Sequence, residues 1–168
     1  MLSATENRNR PTQSWNISAR SRSFMRLSRT QHALLLEAAS LLILARASIA
    51  FLPFRRLVQT TGLCVSPQNT VQTETARDLS PAAASMVLRV RWAVRCAAKH
   101  LPFTFICFPR AIAANWMLRR RKLRPVLHLG TKLSSNAGLQ AHAWLDCAGI
   151  PVTGYPLTAD FCEVAMFL

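Results

Sequence analysis

The chain lacks a Cys-x-x-Cys pair, a Cys/His cluster at zinc spacing and any internal repeat. The first two absences exclude the common structural zinc sites, and no metal is expected. The five cysteines, Cys64, Cys96, Cys107, Cys147 and Cys162, are odd in number and irregularly spaced. That argues against a disulfide framework and for reduced thiols in a cytoplasmic protein. Acids are scarce too: seven Asp and Glu against 21 Lys and Arg leave a net charge of +14. Such an excess suits nucleic acid, an anionic membrane surface or an acidic peptide or protein as partner, although charges on a tail and on helix faces are also ordinary solvated surface. An unbroken apolar run of membrane length is missing as well. Residues 33–52 approach that length, but Glu37 and Arg46 interrupt them, each at a cost of about 3 kcal/mol on insertion scales. A start at Met25 would set Arg26 and Arg29 ahead of this stretch and Ser48-Ile49-Ala50 as a cleavage site. The same two charges break the apolar region that an export signal needs. The stretch therefore reads as a buried core helix, with no transmembrane segment.

What is present is a hydrophobic fraction of 51%, enough for the core of one domain. Residues 1–30 carry six arginines, one acid and no apolar period. They read as a basic flexible tail, or as upstream sequence from a start set too early, leaving 31–168 as the domain. A helix is expected over 32–52. Its leucines fall on almost every face, which suits burial on most sides. Pro53 ends it, and a short helix over 54–61 precedes Gly62. Residues 63–80 are polar and read as a loop. Ser80 and Pro81 are N-cap and first position of a further helix, with Val87, Val90, Val94 and Ala97 as its apolar stripe. Arg91, Arg95 and Lys99 form a basic row on another face, expected to be solvated. After a helix over 109–121 the apolar period changes. Residues 126–129, 139–147, 150–153 and 162–167 read as four strands, the middle two joined by a two-residue turn at Ala148-Gly149. Helices followed by a small antiparallel sheet make an α+β domain.

Two residues carry the chemical reading. Phe108 precedes Pro109 and is biased away from the helical region, so the helix is expected to start at Pro109 with Cys107 at its doorstep. A thiol attacks a carbonyl as the thiolate, and a helix N-terminus supplies the partial positive charge and free N–H groups that favour this form. Cys107, Ala111, Ala114 and Leu118 share a stripe. His142 shares a strand face with Trp144 and Asp146, while Ala141, Ala143, Leu145 and Cys147 share the other. If the helix packs on the His142 side, the imidazole reaches Cys107 as base and then as the acid that protonates the leaving amine. The plainer reading is a small buried cysteine and a structural strand histidine, the latter being also the reading of His32, His100 and His128.

The order of short motifs adds to this. Cys107 to Ala111 head a helix ending in Leu118-Arg119-Arg120-Arg121. His128-Leu129-Gly130 and Ala141-His142-Ala143-Trp144 follow on strands. Upstream stand Leu52-Pro53-Phe54-Arg55-Arg56 behind a leucine-rich helix, then Trp92-Ala93-Val94-Arg95 and Leu101-Pro102. Across residues 30–168 this pattern resembles the transglutaminase-like leader peptidases of lasso-peptide biosynthesis. The resemblance implies a papain-like cysteine hydrolase fold and a cytoplasmic cysteine protease that removes the leader from a ribosomally made precursor peptide. It also implies a small leader-binding partner protein and a macrolactam-forming, ATP-dependent cyclase. Cys107 would carry the acyl group and His142 the proton, with no cofactor; an ATP requirement of the peptidase itself is not legible. The family pattern places an orienting acid about a dozen residues after the histidine, where this chain has Thr153-Gly154-Tyr155. Asp160 and Asp146 are then the candidates for a third member, with a backbone carbonyl or Tyr155, expected opposite His142 across the hairpin, as alternatives.

The rival reading is a non-catalytic basic module, either a scaffold descended from such enzymes or a binder of nucleic acid or an anionic surface through Arg119 to Lys122. Few aromatics interleave with those charges, which counts against single-strand recognition, and no nucleic-acid partner is expected.

Overall fold

The computed structural model describes residues 28–62, 64–65, 79–102, 107–134, 138–157 and 161–168. Residues 1–27, most of the expected basic tail, lie outside the described residues, as does Asp160. Helix α1 (Arg29–Phe51) begins earlier than its leucine pattern suggests, because Ser28 and Gln31 form a reciprocal capping box. The Ser28 side chain accepts from the Gln31 N–H, and the Gln31 side chain accepts from the Ser28 N–H. The helix thus includes Arg29 and Thr30. Pro53 closes the helix, and α2 (Phe54–Gln59) follows it.

Helix α3 (Pro81–His100) starts at the expected Ser80 cap, and Val87, Val90, Val94 and Ala97 are all buried. Helix α4 (Cys107–Arg119) is the central element: Ala111, Ile112, Ala113, Ala114, Met117 and Leu118 are fully buried. It starts at Cys107, two residues before the expected start. Pro109 falls in the first turn, where its missing N–H costs no intrahelical bond.

The sheet has five strands rather than the four expected, in the order β1-β5-β2-β3-β4 and antiparallel throughout: β1 (Cys64–Val65), β2 (Pro125–Ser134), β3 (Gly138–Cys147), β4 (Ile150–Thr153) and β5 (Cys162–Phe167). The extra edge strand lies in the stretch read as loop. Ala148 and Gly149 both take positive φ, 49° and 77°, as a tight hairpin turn with matching twist requires. Ala143, Leu145 and Cys147 pack with Leu127, Val152 and Phe167 into one core with α1, α3 and α4.

Helix α1 departs from expectation. Only Leu34, Ala38, Leu42 and Ala45 are buried, while Leu36, Ile43, Leu44 and Phe51 are exposed. The helix is apolar all round, but α3 and α4 supply partners for one face alone. By length and composition it is long and apolar enough to cross a membrane. Glu37, the acid inside its apolar stretch, makes a two-pronged ion pair with Arg121, at 3.1 and 2.6 Å, just past the end of α4.

Candidate active site

β3 alternates, so His142, Trp144 and Asp146 point to one side of the sheet and Ala143, Leu145 and Cys147 to the other. The helices pack on the second side. The expectation that α4 covers the His142/Trp144 face is therefore corrected. The strand is apolar on both sides, and its pattern does not say which side receives the helix.

Cys107 occupies the first position of α4, half-buried against the core. The first N–H groups of a helix have no intrahelical acceptor, and they surround the thiol with partial positive charge. Among the described residues no hydrogen bond joins the Cys107 thiol to the His142 ring.

The segment after β4 holds His142. A register shift between Leu145 and Asp146 follows directly on Pro151, which pairs with Asp146 and has no N–H to give to the ladder. The chain then crosses onto the His142 face at Gly154, and the ring nitrogen Nε2 lies 2.8 Å from the Gly154 carbonyl oxygen, twelve residues on in sequence. A carbonyl only accepts, so Nε2 carries the proton and Nδ1 presents its lone pair. That is the tautomer a general base needs. Trp144 at 6.1 Å and the Phe161 ring at 5.2 Å flank the imidazole.

A backbone oxygen thus stands where the family pattern has an acid. Tyr155, expected opposite His142, is displaced by the register shift. Burial first, then the charges of Asp146 and Glu163, push its hydroxyl up to about 12, so it stays neutral at any working pH.

Gly154 is held at φ +83°, and a Cβ there would meet the Ala143 carbonyl oxygen at 2.5 Å and the Trp144 Cβ at 2.6 Å. Neither neighbour can give way. Gly154→Ala is expected to cost about 2 kcal/mol in stability. With the carbonyl displaced, the His142 ring loses the partner that fixes its tautomer, and any turnover that depends on that ring should fall about a hundredfold. Urea unfolding and turnover on the same preparation check both.

Asp146 is not with His142 either. It accepts from Nε2 of His128 at 2.7 Å, while Glu163 takes Nδ1 of the same ring at 2.6 Å. Both nitrogens face carboxylates, so the ring is an imidazolium. Burial opposes that charge, but hydrogen bonds to Asp146 and Glu163 together with their charges outweigh it and raise the His128 pKa. The nitrogens diverge toward separate carboxylates, which is the geometry of a clamp and not of converging metal ligands. His128 lies flat on Trp144, with 5.3 Å between centroids and 1° between planes. Gly130, opposite His142, leaves room for the indole, since a Cβ there would lie 2.8 Å from the ring. Glu163 was not legible as a site residue, because an irregularity between Leu129 and Gly130 decides which face of the sheet it joins.

Of the other thiols whose side chains are described, Cys147 is pushed up by burial first and then by Asp146, and all are free. A cleft of about 590 Å³ opens between α3, the first turn of α4 and the β4 edge. Arg110, one turn past Cys107, forms part of one wall and Gly154, the acceptor of the His142 ring, part of another, while Cys107 and His142 themselves do not line it. A second cleft of about 510 Å³ lies near the starts of α1 and α3; neither cleft has a thiol or imidazole in its lining.

A family described as the transglutaminase-like superfamily matches residues 48–166, more than two thirds of the chain and all the elements that build this site. Comparison with curated proteins and with solved structures gave no match.

Proposed function

Since this chain belongs to the transglutaminase-like superfamily, we propose that it is a thiol hydrolase acting on a peptide bond, with Cys107 as nucleophile and His142 as base. The observation that carries this is the Nε2 to Gly154 carbonyl bond, which leaves the Nδ1 lone pair of the neutral ring free to accept a proton. Cys107 and His142 project from opposite faces of the sheet, so this reading requires them to meet at its edge, where Arg110 of α4 and Gly154 line one cleft, and catalytic hydrogen bonds tighten in the complex. His142 takes the Cys107 proton, and the thiolate adds to the scissile carbonyl. The N–H groups at the start of α4 stabilise the oxyanion. The imidazolium then gives its proton to the leaving amine, and water activated by the same ring hydrolyses the thioester.

The finer reading is removal of the leader from a ribosomally made lasso-peptide precursor in the cytoplasm, with a small leader-binding protein presenting the substrate and a macrolactam-forming cyclase acting next. The order of motifs from Leu52-Pro53 to Ala141-His142-Ala143-Trp144 supports it. The chemistry calls for no cofactor. Incubation of the cognate precursor with this protein and the leader-binding partner should release leader and core fragments whose masses sum to the precursor plus one water. An intact precursor under those conditions would refute leader removal.

A second reading, a scaffold that no longer hydrolyses, is favoured by one observation: the orienting group on His142 is a neutral carbonyl, which fixes the tautomer but gives an imidazolium no full countercharge.

A further inference from the structure

The cleft beside the site is lined by three guanidinium groups, Arg91 and Arg95 from α3 and Arg110 from α4, with no carboxylate in its wall. Like charges do not gather around a cavity without cost, and such a concave site focuses positive potential. Two wall groups are also incomplete: Arg110 Nε and Thr153 Oγ1 are buried with no hydrogen-bond partner. Unsatisfied buried polar atoms are rare in folded proteins and call for an explanation. Arg91 is fixed by donating to the Pro151 carbonyl at 3.1 Å, which pins α3 to the β4 edge. Arg95 has no hydrogen bond or ion pair among the described residues and is exposed. The basic row on α3 is therefore a cleft wall at Arg91 and Arg95, not only a solvated face.

We propose that this cleft is a specificity subsite that takes an acidic side chain, Asp or Glu, of the peptide substrate lying next to the scissile bond. The proposal deepens the hydrolase reading and rests on it for taking the occupant to be a peptide. The position fits: Arg110 stands one turn beyond the nucleophile, and Gly154 is the residue that orients the base. A carboxylate in the cleft is paired by planar guanidinium groups, which match it in geometry as well as charge.

The test is equilibrium binding, measured by anisotropy on the Cys107→Ala protein so that no hydrolysis is needed. The probes are two short peptides with a neutral fluorophore, identical except for Glu-Glu in one and Gln-Gln in the other. The Glu peptide is expected to bind at least about tenfold more tightly, with a preference that weakens as salt is added. The R91Q/R95Q pair should abolish that preference, and R95Q alone, which breaks no hydrogen bond within the fold, should reduce it. The R55Q/R56Q pair removes the same net charge from exposed positions on α2 and should leave it intact. Equal losses in the two double variants would assign the preference to overall charge and overturn the proposal. So would the absence of a Glu preference, or inorganic phosphate competing as strongly as the Glu peptide. A protein that keeps the Glu preference but never cleaves a precursor would sink the hydrolase reading and leave the subsite standing.

Discussion

Cys107→Ala is expected to reduce cleavage of the cognate precursor by at least about a thousandfold, since no other group in the site replaces the nucleophile. The folded state should change by less than about 1 kcal/mol, because the substitution removes one sulfur from a half-buried position. Release of leader fragment followed by mass spectrometry gives the rate, and a urea titration gives the stability. The two readouts together separate a lost nucleophile from a lost fold. Two of the other thiols offer no substitute. Cys147 sits on the helix side of the sheet, held protonated by burial, and Cys162 is exposed on β5.

The second large effect concerns His128, which touches neither Cys107 nor His142. Its side chain is 13% exposed between Asp146 at 18% and Glu163 at 29%. His128→Leu leaves two carboxylates facing each other without their cation. The expected cost is about 2–3 kcal/mol, at or below the lower end for breaking a buried pair because Glu163 keeps some access to water. The clamp also makes stability depend on pH. The folded-state pKa of His128 is raised above its ordinary 6.5. Its contribution is therefore fully present below about pH 6.5 and lost as pH rises through the folded-state value. Urea midpoints of the wild type should fall between pH 6 and pH 9, and those of His128→Leu should fall less. Equal slopes in both proteins would show that the imidazolium is not the titrating group. Activity should fall as well, because His128 supports Trp144 and Trp144 supports His142.

Much of the framework was legible because local rules and tertiary structure agree. Ser80-Pro81 starts α3, the valine stripe of α3 meets the core, and Ala148-Gly149 turns the chain between β3 and β4. The failures have physical causes. β3 is apolar on both sides, so its alternation separates two faces without naming the one that receives α4. Helix α1 is apolar around its whole circumference, and such a sequence overstates burial when neighbours cover only one face. The one-residue shift beside Pro151 takes Tyr155 out of register with His142, and the ladder ends at Thr153, so the ring meets the Gly154 carbonyl of the segment beyond it. Asp146 looked available because its partner lies on another strand; pairing of β2 with β3 brings His128 to it. Backbone acceptors have no side-chain signature at all, and for that reason the group orienting His142 was open until the fold was known.

The central claim is that Cys107 is an activated nucleophile served by His142. Its most direct test is the rate at which iodoacetamide alkylates each cysteine at pH 7, resolved by peptide mass spectrometry, in the wild type and in His142→Ala. The account predicts that Cys107 reacts at least about tenfold faster than Cys96, since a thiol at a helix N-terminus that a base can deprotonate is more nucleophilic than one on a helix face. It also predicts that His142→Ala removes most of that advantage. A Cys107 no more reactive than Cys96 in the wild type, or one equally reactive without His142, would contradict it.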